Sequence, residues 1–170
     1  MENEIKFLRL KIKAFEKEES MIKLAVYFKI MPGAEDLELP SFATQGSSGI
    51  DLRACINKSM ILHSGDRVIV PTGIAIALPM NYEAQVRPRS GLAFDHGITV
   101  LNTPGTIDSD YRGEIKVILF NSDNGIHKFN RGDRIAQLVV QQLPQIEWVV
   151  VDKLSETKRN DGGFGHTGDK

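Results

Sequence analysis

From position 24 onward the apolar residues come in short runs broken by Gly, Pro, Asn and Asp. Within 82–87, Tyr82, Ala84 and Val86 alternate with Glu83, Gln85 and Arg87. A period of two is the signature of a half-buried strand, because successive side chains leave opposite faces of the sheet. The same pattern predicts strands over 25–30, 50–54, 60–62, 67–70, 74–78, 82–87, 98–101, 114–121, 126–129, 134–142 and 146–151. Within this body only 90–94, SGLAF, suits a short helix. Many short strands without a long helix imply an all-β, antiparallel jelly roll or distorted barrel rather than alternating strand and helix units.

The two ends depart from this pattern. In 1–20, Ile5, Leu8, Ile12 and Phe15 recur at steps of three and four, which makes one helical stripe. Glu2, Glu4, Glu16, Glu18 and Glu19 stand against five bases, whereas transit peptides are poor in acids. We expect 1–22 to be a helical or disordered extension, with Met21 an alternative start, and 23–152 to form the β domain. The segment 153–170 ends in KRNDGGFGHTGDK, four glycines around Phe164, and cannot build a packed element. Two readings stand: a disordered tail, or a mobile tail that closes on a ligand. In the second, glycine lets backbone amides approach phosphate oxygens while the ring covers a flat base.

Composition narrows the function. A chain of 170 residues with 41% hydrophobic content can bury one core. The formal charge of -1, from 21 Lys and Arg against 22 Asp and Glu, gives no global field to recruit nucleic acid or an anionic membrane. The single cysteine, Cys55, rules out an internal disulfide and a thiolate zinc site, which suits the cytoplasm. No apolar run is long enough to cross a membrane. His63, His96, His127 and His166 share no metal-ligand spacing, and Walker, dinucleotide and nucleophile-elbow motifs are absent.

The chemistry concentrates in four internal stretches. In 99–114, TVLNTPGTIDSDYRGE, an amide (Asn102), carboxylates (Asp108, Asp110), an aromatic (Tyr111) and a guanidinium (Arg112) crowd between turn-formers. That set can bind a base, a sugar and a reacting water, so the stretch is read as a catalytic hairpin. RPRSGLAF (87–94) sets two guanidiniums and a hydroxyl before a helix start, which suits an anion; Ser90 as a simple N-cap on a solvated strand end is the competing reading. Arg112 and Arg159 are further cations able to converge on the same anion. SSGIDLRA (47–54) places Asp51 in an apolar strand, either as a partner for Arg53 or a turn, or as an acceptor for a water on a metal such as Mg²⁺. RGDRIAQLV (131–139) reads as a turn into a strand, with Gln137 facing a site and the Arg131-Gly132-Asp133 tripeptide a chance match to an adhesion signal.

In this order, SSGIDLRA, RPRSGLA, LNTPGTIDSDYRGE, RGDRIAQLV and RNDGGFGHTG resemble the five motifs of the trimeric dUTPase family, and the likeness covers nearly everything from 24 to 168. The resemblance implies a jelly-roll homotrimer that hydrolyses dUTP to dUMP and pyrophosphate with Mg²⁺, each site drawing motifs from all three subunits. It implies that Asp108 deprotonates a water that strikes the α-phosphorus. Asn102, with hairpin groups at Gly105, Thr106 and Ile107, would read uracil, and Tyr111 would lie beneath the deoxyribose. Arg89, Ser90, Gly91 and Gln137 would bind phosphates. From the tail, Arg159, Gly165 and Thr167 would grip the terminal phosphate while Phe164 stacks over uracil. Asp51 would touch the water shell of a Mg²⁺ held mainly by the triphosphate, with no direct protein ligand. Ser48, where alanine is common, and His166, at a variable position, are the departures. The related dCTP deaminase, of the same fold, and a trimeric binding protein without turnover are the alternatives.

Overall fold

The structure is a computed structural model and describes residues 24–162. The expected stripe in 1–20, the alternative start at Met21, and Phe164, Gly165 and Thr167 lie outside the described residues. Eleven strands and one helix follow in order: β1 (Tyr27–Ile30), β2 (Ile50–Arg53), β3 (Met60–Leu62), β4 (Arg67–Pro71), β5 (Ile74–Ala77), β6 (Tyr82–Arg87), α1 (Ser90–His96), β7 (Ile98–Val100), β8 (Gly105–Ile107), β9 (Lys116–Asn121), β10 (His127–Phe129) and β11 (Arg134–Gln142). Among the described residues they form four antiparallel sheets, ordered β2-β11-β6-β8, β4-β9-β7, β1-β5 and β10-β3, none of which closes into a barrel.

The alternation read from the sequence decides which faces meet. In β6 the apolar Ala84 and Val86 are buried while Glu83, Gln85 and Arg87 are only half-buried. Val117 and Leu119 of β9, Leu52 of β2, Leu138 of β11, Ile74 and Ile76 of β5, and Phe129 of β10 join the same core. The sheets therefore share one interior, and apolar burial is its main stabilising term. The one buried amide side chain among the described residues, Asn121, is fully satisfied: its Nδ2 donates to the carbonyls of Leu62 (3.0 Å) and Gly125 (2.9 Å), and its Oδ1 accepts from the Asp123 amide (2.9 Å).

Two expectations are corrected. Residues 146–151 form no strand, because a strand needs a ladder partner and none of the described residues supplies one: Ile146, Trp148, Val149 and Val150 are all exposed. Conversely, β8 lies inside the stretch read as hairpin loop, where Gly105 and a preceding proline hide its strand character.

Gly73 fixes the start of β5. Its φ is +73°, and a Cβ there would stand 2.4 Å from the Cβ of Ala34 and 3.0 Å from Cys55 Sγ. Left-handed strain and a contact with no flexible end to yield should together cost roughly 2 to 5 kcal/mol in Gly73→Ala. Urea unfolding checks this, and an unchanged midpoint would contradict it.

Candidate active site

Sheet register brings the phosphate-side residues to one face. Gln137 of β11 pairs with Asp51 of β2 on one side and with Arg87 of β6 on the other. The backbone packs tightly at Gly49, where a Cβ would lie 3.3 Å from Gln137 Oε1 and 3.1 Å from Val139 Cγ2. Beside this row is a cavity of about 380 Å³, lined by Asp51, Arg89, Ser90, Gly91, Arg134 and Gln137 together with the polar turn at Ser47 and Ser48. Of the sequence-selected residues, the fold thus gathers Asp51, Arg89, Ser90, Gly91 and Gln137.

Asp51 does not pair with Arg53, which turns instead to Glu38 and to the Gly132 carbonyl (3.0 Å). Its Oδ1 accepts from Arg89 Nε (2.9 Å) and its Oδ2 from Arg134 Nη1 (3.2 Å). The acid therefore fixes two guanidiniums at the cavity wall and keeps part of its own surface open, with side-chain exposure of 24%. Ser90 is not the N-cap of α1. That position belongs to Arg89, in extended conformation, and no side chain caps the first amides. Ser90 and Gly91 instead bring the uncapped helix start to the cavity.

The stretch read as a catalytic hairpin spans two sheets. β7 and β9 pair at its base, Val100 opposite Leu119, while β8 crosses to the other sheet and pairs with β6, Gly105 opposite Val86 and Thr106 opposite Gln85. The loop is held on both sheets. A Cβ on buried Gly105 would stand 3.2 Å from Asn102 Nδ2, so this glycine makes room for the amide. The Thr103–Pro104 peptide is cis. Asp108 is exposed, and its carbonyl accepts from the Tyr111 amide (3.2 Å) to close the turn.

Tyr111 donates its hydroxyl to the Glu114 carbonyl (3.1 Å), laying the ring across Gly113, where a Cβ would come within 2.3 Å of the phenol oxygen. Gly113, legible in the sequence only as a turn-former, makes room for that ring. Arg112 is corrected as a candidate phosphate cation. Its Nη1 donates to the carbonyls of Ser109 (2.6 Å) and Tyr111 (2.8 Å), so it staples the loop that carries Asp108.

Asn102, Thr106, Ile107, Asp108 and Tyr111 do not line the cavity of Asp51 and Ser90. Only Thr103 and Pro104, from the front of the loop, reach an adjoining recess beside Ser90 and Gln137. Arg159 is exposed and donates to the Gly162 carbonyl (2.8 Å).

The RGD tripeptide is structural. Gly132 takes φ +83°, Asp133 accepts from the Asn130 amide (2.7 Å), and Arg131 pins the 33–36 turn through Asp36 (3.0 Å), holding that carboxyl below the usual carboxylate range. His96 and His127 lie with ring centroids 4.7 Å apart, tilted by 45°; burial and then the neighbouring imidazole lower the pKa of His127. Among the described residues no three His, Cys, Asp or Glu side chains converge to hold a metal. The donor set present is a single carboxylate with two guanidiniums. It fits an ion that keeps most of its waters and takes its direct ligands from a polyphosphate.

Guanidinium, hydroxyl and amide donors thus share one cavity of an all-β chain, a donor set suited to an anion. Residues 35–168 of the chain match the dUTPase family model. The deoxyuridine 5'-triphosphate nucleotidohydrolase of Fusobacterium nucleatum is 54% identical over 134 residues, covering 79% of this chain and 92% of that protein. The enzyme of the same name from Wolbachia pipientis subsp. Culex pipiens is 51% identical over 148 residues, 86% of this chain and 97% of that one. The fold is also that of the Staphylococcus bacteriophage 80alpha dUTPase solved with dUPNHPP, with a TM-score of 0.75 and 21% identity over 85% of this chain and 98% of that chain. A dUTPase of phage phi11 of S. aureus, described as coordinating a structural Mg(II) ion, aligns with a TM-score of 0.69 at 18% identity, over 78% of this chain and 99% of that one. The chain belongs to the dUTPase family, and it is a hydrolase that converts dUTP to dUMP and pyrophosphate.

Proposed function

We propose that the reaction runs by attack of water on the α-phosphorus, with Asp108 as the general base. A carboxylate on a loop anchored to two sheets is held in place while staying open to solvent, where it can take the proton of a bound water. The water oxygen bonds to the α-phosphorus, the bridging oxygen leaves with pyrophosphate, and the proton passes to Asp108. Arg89, Ser90, Gly91 and Gln137 bind the phosphates, and the charge they supply is fixed in advance by Asp51. Asn102 and the backbone at Gly105, Thr106 and Ile107 read the uracil edge; a cytosine there would leave polar groups mismatched. From the tail, Phe164 covers the base, and Arg159, Gly165 and Thr167 hold the terminal phosphate. When bound, Mg²⁺ would neutralise charge on the triphosphate, with Asp51 reaching its water shell.

The active unit on this reading is a homotrimer with sites shared between subunits, built from jelly-roll domains spanning 23–152, each flanked by the extension 1–22 and the tail 153–170. Two observations support it. Asp108 does not line the cavity of Ser90 in its own chain, which suits an acid brought to the phosphates by a second copy. The arm after β11 also exposes Trp148 by 89% and Val150 by 97%, apolar surface that calls for a partner. No helix among the described residues is long and apolar enough to cross a membrane. We place the enzyme in the cytoplasm, where it limits uracil incorporation into DNA and supplies dUMP for thymidylate synthesis.

The observation that carries the reading is the loop that seats Asn102, Asp108 and Tyr111 on one rigid bridge between sheets. The test is pyrophosphate release from dUTP against dCTP, dTTP and UTP, with and without Mg²⁺. Release confined to dUTP and dependent on the ion is expected; equal release from dCTP, or ammonia from it, would overturn the substrate assignment. In Tyr111→Ala, loss of the ring that would meet a 2′-hydroxyl should raise the UTP to dUTP ratio of kcat/KM by roughly tenfold or more. An unchanged ratio would show that the sugar is read elsewhere.

A further inference from the structure

We infer that Arg87 is an additional binding residue for the substrate triphosphate, held in position by Gln85 and, behind it, Glu83. The inference rests on the dUTPase reading above and adds a cation to the same site.

The three side chains share the half-buried face of β6. Gln85 Nε2 donates to Glu83 Oε1 (2.6 Å), which fixes the orientation of the amide and turns its oxygen toward Arg87. That oxygen accepts from both Nε (3.0 Å) and Nη2 (2.7 Å) of the guanidinium. One edge of the guanidinium is thereby anchored, and a planar fork anchored on one edge presents its remaining donors in a set direction.

The relay orients Arg87 without neutralising it. The nearby cations Arg89 and Arg134 both share the charge of Asp51, and Arg53 and Arg131 are paired with Glu38 and Asp36. Among the described residues Arg87 forms no salt bridge; an uncharged amide stands between it and the nearest carboxylate of its strand. It lies opposite Gln137 in the sheet, and the two line a recess of about 500 Å³ with Ser90, Thr103 and Pro104. An uncompensated, braced guanidinium beside the hydroxyl and amide assigned to the phosphates is placed to take an anion.

The charge Arg87 meets is already present on bound dUTP, so its removal should act on binding more than on the chemical step. In the full chain with Mg²⁺, Arg87→Ala should raise the KM for dUTP about tenfold, the effect of one lost charge-assisted contact, with a much smaller change in kcat. Arg87→Lys should restore part of the loss, and Gln85→Ala should shift KM in the same direction by less. Inhibition by deoxyuridine, which carries no phosphate, should be unchanged in all three. An unaltered KM in Arg87→Ala would overturn the assignment. So would a loss of thermal stability and kcat together with equally weakened deoxyuridine binding, which would mark a packing role. If Arg87→Ala does not fold, Arg87→Lys and Gln85→Ala decide alone: unaltered KM values in both would overturn it. A wild-type protein that releases no pyrophosphate from dUTP defeats the parent reading, whereas active wild type with unchanged variants defeats only the role of Arg87.

Discussion

Asp108→Asn is expected to lower turnover of dUTP by roughly a hundredfold or more while nucleotide binding stays close to that of the wild type. The substitution keeps the size of the side chain and removes its ability to accept a proton. It should leave the loop intact, because the contacts that shape the loop are made by other groups: the Asp108 carbonyl with the Tyr111 amide, Arg112 with the carbonyls of Ser109 and Tyr111, and Tyr111 with Glu114. Single-turnover rates and equilibrium binding of a non-hydrolysable dUTP analogue separate the two effects. Turnover at the wild-type rate would remove Asp108 from the mechanism.

Removing residues 159–170 should leave a folded assembly that hydrolyses dUTP very poorly, with kcat/KM down by roughly a hundredfold or more. Among the described residues the buried apolar side chains run from Ala34 to Val139, so no described residue of the deleted segment belongs to the interior. Among the described residues Arg159 hydrogen-bonds locally, its side chain to the Gly162 carbonyl and its carbonyl to the Gly162 amide, and the tail adds no strand to any sheet. The proposed contributions of Phe164, Gly165 and Thr167 are closure over the base and grip on the terminal phosphate, and both vanish together. Thermal melting and dUTP hydrolysis of the truncated chain check the pair of expectations; undiminished hydrolysis would refute the role given to the tail.

How far the sequence could be read depended on whether a feature is local. Period-two alternation is a local consequence of the pleat, which is why 82–87 matches β6 to the residue. The apolar run at 146–151 carries the same local signal and fails as a strand, since pairing depends on a partner that alternation does not encode. Gly105–Ile107 fails the other way: three residues after a proline give no period, and the strand exists because β6 offers an edge.

The site divides along the same line. Asp51, Arg89, Ser90 and Gln137 were singled out by their chemistry and by the resemblance, and the register of β2, β11 and β6 brings them near one cavity. What the acid at 51 pairs with was not legible, because Arg89 and Arg134 are 38 and 83 positions away. Arg112 looked like a phosphate ligand by charge alone, yet its geometry gives it to the loop.

The direct test of water attack on the α-phosphorus is hydrolysis of dUTP in ¹⁸O-labelled water, followed by mass measurement of both products. The account predicts the label in dUMP and none in pyrophosphate; label in pyrophosphate would place the attack on the β-phosphorus and contradict it.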